Sequence, residues 1–118
     1  MRTQEVKTAV DVNEGTIFVA SWGYDQTNID FYQVIDRTAK MVTVRKLRSK
    51  GEYAYTMARY VMPLKDQFLD SDHPYDQAYG KPFKRRLIDS PYGVYFNADE
   101  CSTARIWDGE RRTETSTG

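Results

Sequence analysis

Apolar and polar positions along this chain alternate with a period of two and almost nowhere with a helical period, so the pattern predicts strands. Thr16–Trp22 is dense in β-formers, and Gly15 and Gly23 break the chain on either side of it. Asp30–Arg37 (Asp-Phe-Tyr-Gln-Val-Ile-Asp-Arg) concentrates aromatic and β-branched residues into a second strand. Met41–Arg48 alternates cleanly, with Val42 and Val44 to one side and Thr43 and Arg45 to the other. The short polar link Thr38-Ala39-Lys40 closes these two strands into an antiparallel hairpin. Tyr53–Pro63 reads as a fourth strand, which Pro63 ends or places at an edge because proline brings no N–H to a ladder.

Residues 65–81 have no period and hold the turn-formers Asp, Ser, Pro and Gly, so a long acidic loop with one short helical turn is expected there. Phe83–Asp89 follows as a short basic strand, Ser90-Pro91 as a turn and Tyr92–Asn97 as another strand. Ala104–Trp107 and Arg111–Thr115 flank Asp108-Gly109, a strong hairpin signal. Short strands, hairpin links and no ten-residue amphipathic stretch predict a mainly β fold. The expected architecture is a small antiparallel meander or barrel, SH3-like or a similarly bent sheet.

At 118 residues and 13.7 kDa the chain fits a single β-rich domain over 1–118, with 1–13 and 116–118 expected to fray. Its longest apolar run, Ile17-Phe18-Val19-Ala20, falls far short of the ~20 residues of a membrane span. Met1–Val10 lacks the apolar stretch of a signal peptide. The one cysteine, Cys101, allows no internal disulfide, which fits a reducing cytoplasm.

Seventeen basic and seventeen acidic residues cancel over the chain, but they do so in blocks. Arg45, Lys46, Arg48 and Lys50 form one basic segment and Lys81, Lys84, Arg85 and Arg86 another, with Asp66, Asp70, Asp72 and Asp76 between them. Such blocks arise on ordinary solvated strands. They also suit a single-strand nucleic-acid or nucleotide binder that contacts phosphates through Arg45, Lys46, Arg48, Lys84, Arg85 and Arg86 and stacks bases on nearby tyrosines.

The most unusual segment is Ser21–Val34, where a long connection crowded with hydrogen-bonding and stacking side chains joins the first two strands. One reading makes Trp22 and Phe31 core anchors and the residues from Asp25 to Asp30 a turn that satisfies its own backbone. The other makes Trp22, Tyr24 and Tyr32 a stacking surface, with Asp25, Gln26 and Asn28 as specificity groups. A catalytic set is not expected. His73 stands among Asp70, Asp72 and Asp76, yet the spacing is not that of an EF-hand, so a solvated loop is expected instead of a metal site. Cys101 follows Asp99-Glu100, two acids that disfavour a thiolate. No glycine-rich phosphate loop or metallohydrolase motif is present, and no cofactor is expected.

The string SWGYDQTNIDFYQVI, the hairpin after it and the late Ala-Arg-Ile-Trp-Asp-Gly segment resemble a family of small bacteriophage and conjugative-element proteins. That family is marked by an SWGYDQTN-x-DFYQV block, a valine-rich third strand and a C-terminal WDG turn. The likeness covers most of the chain and is strongest over Gly15–Val44. The family pattern often has a proline two residues after the WDG glycine, where this chain has Arg111, which bears on the geometry of the last hairpin. The resemblance carries over no catalytic residue. It implies an accessory protein of a mobile element in the host cytoplasm, acting by contact with a host protein such as a defence complex. A counter-defence inhibitor of the anti-CRISPR type fits that expectation, with nucleic-acid binding as the alternative, a metal-dependent hydrolase less favoured and no membrane partner.

Overall fold

Strands form in every predicted region, though Phe83–Asp89 is a strand only to Arg86 and Tyr92–Asn97 only from Tyr95, and among the described residues every pairing between strands is antiparallel. The computed structural model describes residues 8–23, 27–55, 58–68, 81–98 and 102–115, with the backbone alone at 53–55. Its strands are β1 (Ile17–Trp22), β2 (Asn28–Arg37), β3 (Met41–Tyr55), β4 (Ala58–Phe68), β5 (Phe83–Arg86), β6 (Tyr95–Asn97), β7 (Thr103–Ile106) and β8 (Arg112–Thr115). They follow the order β6-β7-β1-β2-β3-β4-β8, with β5 paired to β3 off that path. This is the mainly β, bent antiparallel sheet that the period-two pattern predicts. The β2–β3 hairpin closes as expected, with Thr38 N–H donating to Met41 O at 2.9 Å.

The middle of the chain departs from the sequence reading. Residues 53–63 do not form one strand: β3 ends at Tyr55 and β4 begins at Ala58, so the stretch is divided between two strands of a long hairpin. Ser49–Glu52, which interrupts the alternation, continues β3 by pairing with residues 60–63 of β4, and all four residues are exposed, so no buried face imposes a period. Pro63 does not end β4 either. It pairs with Ser49 beside an irregularity that sets Leu47 opposite Phe68, and β8 reaches only as far as Val61, so no ladder bond is asked of its nitrogen. Lys65–Phe68, expected as loop, therefore belongs to β4.

β3 organises the fold. Its first half pairs with β2 and β5, its second with β4. Register shifts at Val34/Asp36, Leu47/Ser49 and Tyr53/Tyr55 curl the sheet around it. The curl brings β8 back to the start of β2, where Thr115 N–H donates to Thr27 O and Thr27 N–H to Thr115 Oγ1.

Both faces of the central strands are buried, and each face builds its own core. Phe18, Ala20, Tyr32, Val34, Val42 and Val44 point to the larger one, which Val12, Leu87, Val94 and Phe96 cover. Val19, Ile29, Phe31 and Leu47 point the other way into the curl, against Val61, Phe68 and Trp107. The segment 8–13, expected to fray, is anchored. Val12 is fully buried, and Arg37 donates to the carbonyls of Val12 and Ala9 at 3.0 and 2.7 Å.

Asp108-Gly109 makes its turn without making a hairpin. Gly109 takes φ +90°, and Asp108 Oδ1 accepts the Glu110 N–H at 3.0 Å. Yet β7 pairs with β1 and β6, while β8 pairs with β4, so the turn is a corner that carries the chain from one side of the curl to the other. Trp107 explains the change of direction. Its ring stands edge-on to Phe31 at 6.1 Å and its Nε1–H donates to Glu110 O at 2.6 Å, so the chain wraps around the indole and leaves the β7 edge.

Candidate functional site

The β1–β2 ladder runs to the pair Trp22↔Asn28, which leaves a connection of 23–27, shorter than the sequence suggests. Gly23 enters it at φ +127°, a conformation that side chains disfavour. Strand alternation puts Trp22, Asp30 and Lys46 on one face, because Trp22 lies diagonal to Asp30 across the β1–β2 ladder and Lys46 lies diagonal to Asp30 across the β2–β3 ladder. Trp22 is 45% exposed. Its Nε1–H donates to Asp30 Oδ2 at 2.6 Å, while Asp30 Oδ1 pairs with Lys46 Nζ at 3.1 Å. Asp30 and Lys46 side chains are only 17% and 18% exposed, so this pair is better shielded than an ordinary surface bridge. The ring of Trp22 is thus half in solvent and fixed in orientation.

Tyr32 is not on that surface. It lies in the middle of β2 with a ladder on each side and is buried in the larger core, its ring edge-on to Phe83 at 5.6 Å and to Phe96 at 5.9 Å. Asn28 is half-buried and pairs with Trp22 at the end of the β1–β2 ladder. Tyr24, Asp25 and Gln26 lie outside the described residues. Asp30, the residue that orients the indole, was missed as Trp22's partner; its signal lies in the pairing register, which composition does not reveal.

The six basic candidates do not converge. Arg45 lies over the Phe68 ring at 5.0 Å, and Arg48 is exposed with its Nε–H on Phe68 O at 3.2 Å. Lys46 serves Asp30. Arg85 packs over Phe83 at 4.6 Å and donates to the carbonyls of Asn97 and Ala98 at 3.0 and 3.1 Å, fastening β5 to the end of β6. Lys84 and Arg86 are exposed on the opposite side of β5 from Arg85. Tyr60, one of the tyrosines near the first basic segment, is capped by the Arg111 guanidinium at 3.7 Å from its ring centre.

Asp66 has a positive φ of 65°. Buried Gln33 holds it from both sides of its amide, donating from Nε2 to Asp66 Oδ1 at 2.7 Å and accepting the Asp66 N–H at 2.8 Å. Asp70, Asp72, His73, Asp76 and Cys101 lie outside the described residues. Among the described residues no group of His, Cys, Asp and Glu is placed to hold a metal ion, and no helix is long and apolar enough to cross a membrane.

Fold and site together define a mainly β protein, a curled antiparallel sheet with a pinned tryptophan at one end. Comparison with protein-family models, with curated proteins and with solved structures found no match.

Proposed function

We propose that this is a non-catalytic binding protein that grips another protein through the Trp22 end of its sheet. The observation that carries the reading is the indole itself, half-exposed and held by Asp30 and Lys46. Tryptophan is the residue most enriched among binding hot spots. Fixing a side chain on association costs about 0.5–1.5 kcal/mol, and here the ring is oriented beforehand. The resemblance of the SWGYDQTNIDFYQV segment to mobile-element proteins supports a host protein as the partner, a defence component above all, and inhibition by occupancy as the outcome. The nucleic-acid reading has less support: Lys46 and Arg85 are committed to internal contacts, and the Tyr60 ring is covered.

The test is capture from nuclease-treated bacterial lysate, followed by repetition with the purified captured protein. The wild-type chain is expected to retain a host protein identifiable by mass spectrometry. Trp22→Ala should weaken that binding by about 2 kcal/mol, roughly 30-fold in Kd, with the fold intact by circular dichroism. Equal binding by Trp22→Ala, or capture that vanishes with nuclease, overturns the reading.

A further inference from the structure

We infer that the cleft between β7 and β8 is an anion site that takes the phosphoryl group of a small phosphate ester. The cleft has a volume of about 410 Å³, within the roughly 300–1,000 Å³ of small-ligand sites. It lies on the face of the sheet opposite Trp22. Val19 and Ile29 form its apolar floor, and Ser21, Thr103 and Thr113 bring hydroxyls to its lining.

Two arginines from different strands also line it, Arg105 of β7 and Arg112 of β8. The β1–β7 register sets Arg105 opposite Val19 and so on the cleft side, and the Asp108-Gly109 corner delivers Arg112 from the other side of the curl. Like charges brought to one cleft repel each other unless an anion lies between them. Among the described residues neither guanidinium is fully neutralised. Among the described residues Arg105 has no carboxylate partner and rests over the Tyr95 ring at 5.3 Å. Arg112 meets Asp108 only through Nη2 at 3.3 Å, and that carboxylate is 56% exposed, where such a pair contributes little. The Arg112 Nε is buried and has no hydrogen-bond partner. Glu114, a second described carboxylate bonded to the lining, is committed to the Ile29 N–H and to Arg59. The Arg105 guanidinium, the exposed end of the Arg112 guanidinium and three hydroxyls suit an anion with several acceptor oxygens and more than one negative charge, which favours phosphoryl over a single carboxylate.

Titration of the whole protein at fixed ionic strength tests this, read by amide chemical shifts, with inorganic phosphate and adenosine 5′-monophosphate as separate probes and sodium chloride as the reference. Saturable shifts at Ser21, Thr103, Arg112 and Thr113 are expected with both probes, the nucleotide binding more tightly because the apolar floor has a use for its nucleoside. Arg105→Ala, a change at an exposed position, should weaken both by about tenfold or more, and Arg112→Gln should do the same where its melting curve shows a folded protein. Trp22→Ala should leave anion binding unchanged, which separates this site from the protein-binding surface. Shifts reproduced by chloride, nucleotide binding no tighter than phosphate, undiminished binding in Arg105→Ala, or loss of binding in Trp22→Ala would each overturn the assignment.

Discussion

The two cores back onto the same central strands and are held by different means. The larger one is apolar packing: Phe18 meets Phe96 at 4.9 Å, and Tyr32, Val34, Val42 and Val44 fill the same space under Leu87 and Val94. Burying each large side chain there contributes about 1.5–3 kcal/mol. The smaller core buries Val19, Ile29, Phe31, Leu47 and Val61, and polar clasps close it. Gln33 holds Asp66 at one side, the Glu114 carboxylate accepts the Ile29 N–H at 3.0 Å at another, and Trp107 ties down Glu110. Apolar burial is non-directional and suffices where much surface is covered. Where less is covered, directional bonds with little tolerance for error fix the curvature.

The largest expected effect is on the packed side. Phe18→Ala should cost about 3–5 kcal/mol, a large share of the stability of a domain this size, and native-state hydrogen exchange should show protection falling on both sides of the sheet. Val61→Ala should cost about 2 kcal/mol and lower protection in β4 and β8 first. If Val61→Ala instead opens Val42 and Val44 equally, the two cores are one cooperative unit and the contrast between them fails. Glu114→Gln should cost about 1–3 kcal/mol, since Arg59 loses its counter-charge and the bond to the Ile29 N–H weakens. The exchange rate of the Ile29 amide reads this directly, with the Val34 amide as the control. Smallest of all, Trp22→Ala should change stability by less than about 1 kcal/mol, because its ring belongs to neither core. A larger loss in thermal melting would make that indole a structural strut.

The strands were legible where apolar residues on one face alternate with polar residues on the other. Met41–Arg48 announced itself because Val42 and Val44 alternate with Thr43 and Arg45. The extension of β3 through Ser49–Glu52 and of β4 through Lys65–Gln67 was not legible, since residues exposed on both faces carry no period. Asp108-Gly109 revealed a turn without revealing its partners, because the dihedral needs of a glycine say nothing about which ladder the chain joins next. At the candidate site, Trp22 stood out as an aromatic beside a break. Tyr32 could not be distinguished from it, since both are aromatics in strands and only the neighbours of β2 decide which one is covered. Arg105 and Arg112 gave no signal of convergence because their strands share no ladder.

The bond from the Ile29 N–H to Glu114 joins positions 85 apart, whereas the link that closes the β2–β3 turn joins positions 3 apart. By logarithmic scaling the longer closure costs about 3 kcal/mol more chain entropy. In refolding, the hairpins around β3 therefore zip early, and the seal over Ile29 comes late. Until it arrives the Thr27 and Ile29 amides lack their partners, so the start of β2 stays open to other strands and concentrated refolding goes astray first at this seam.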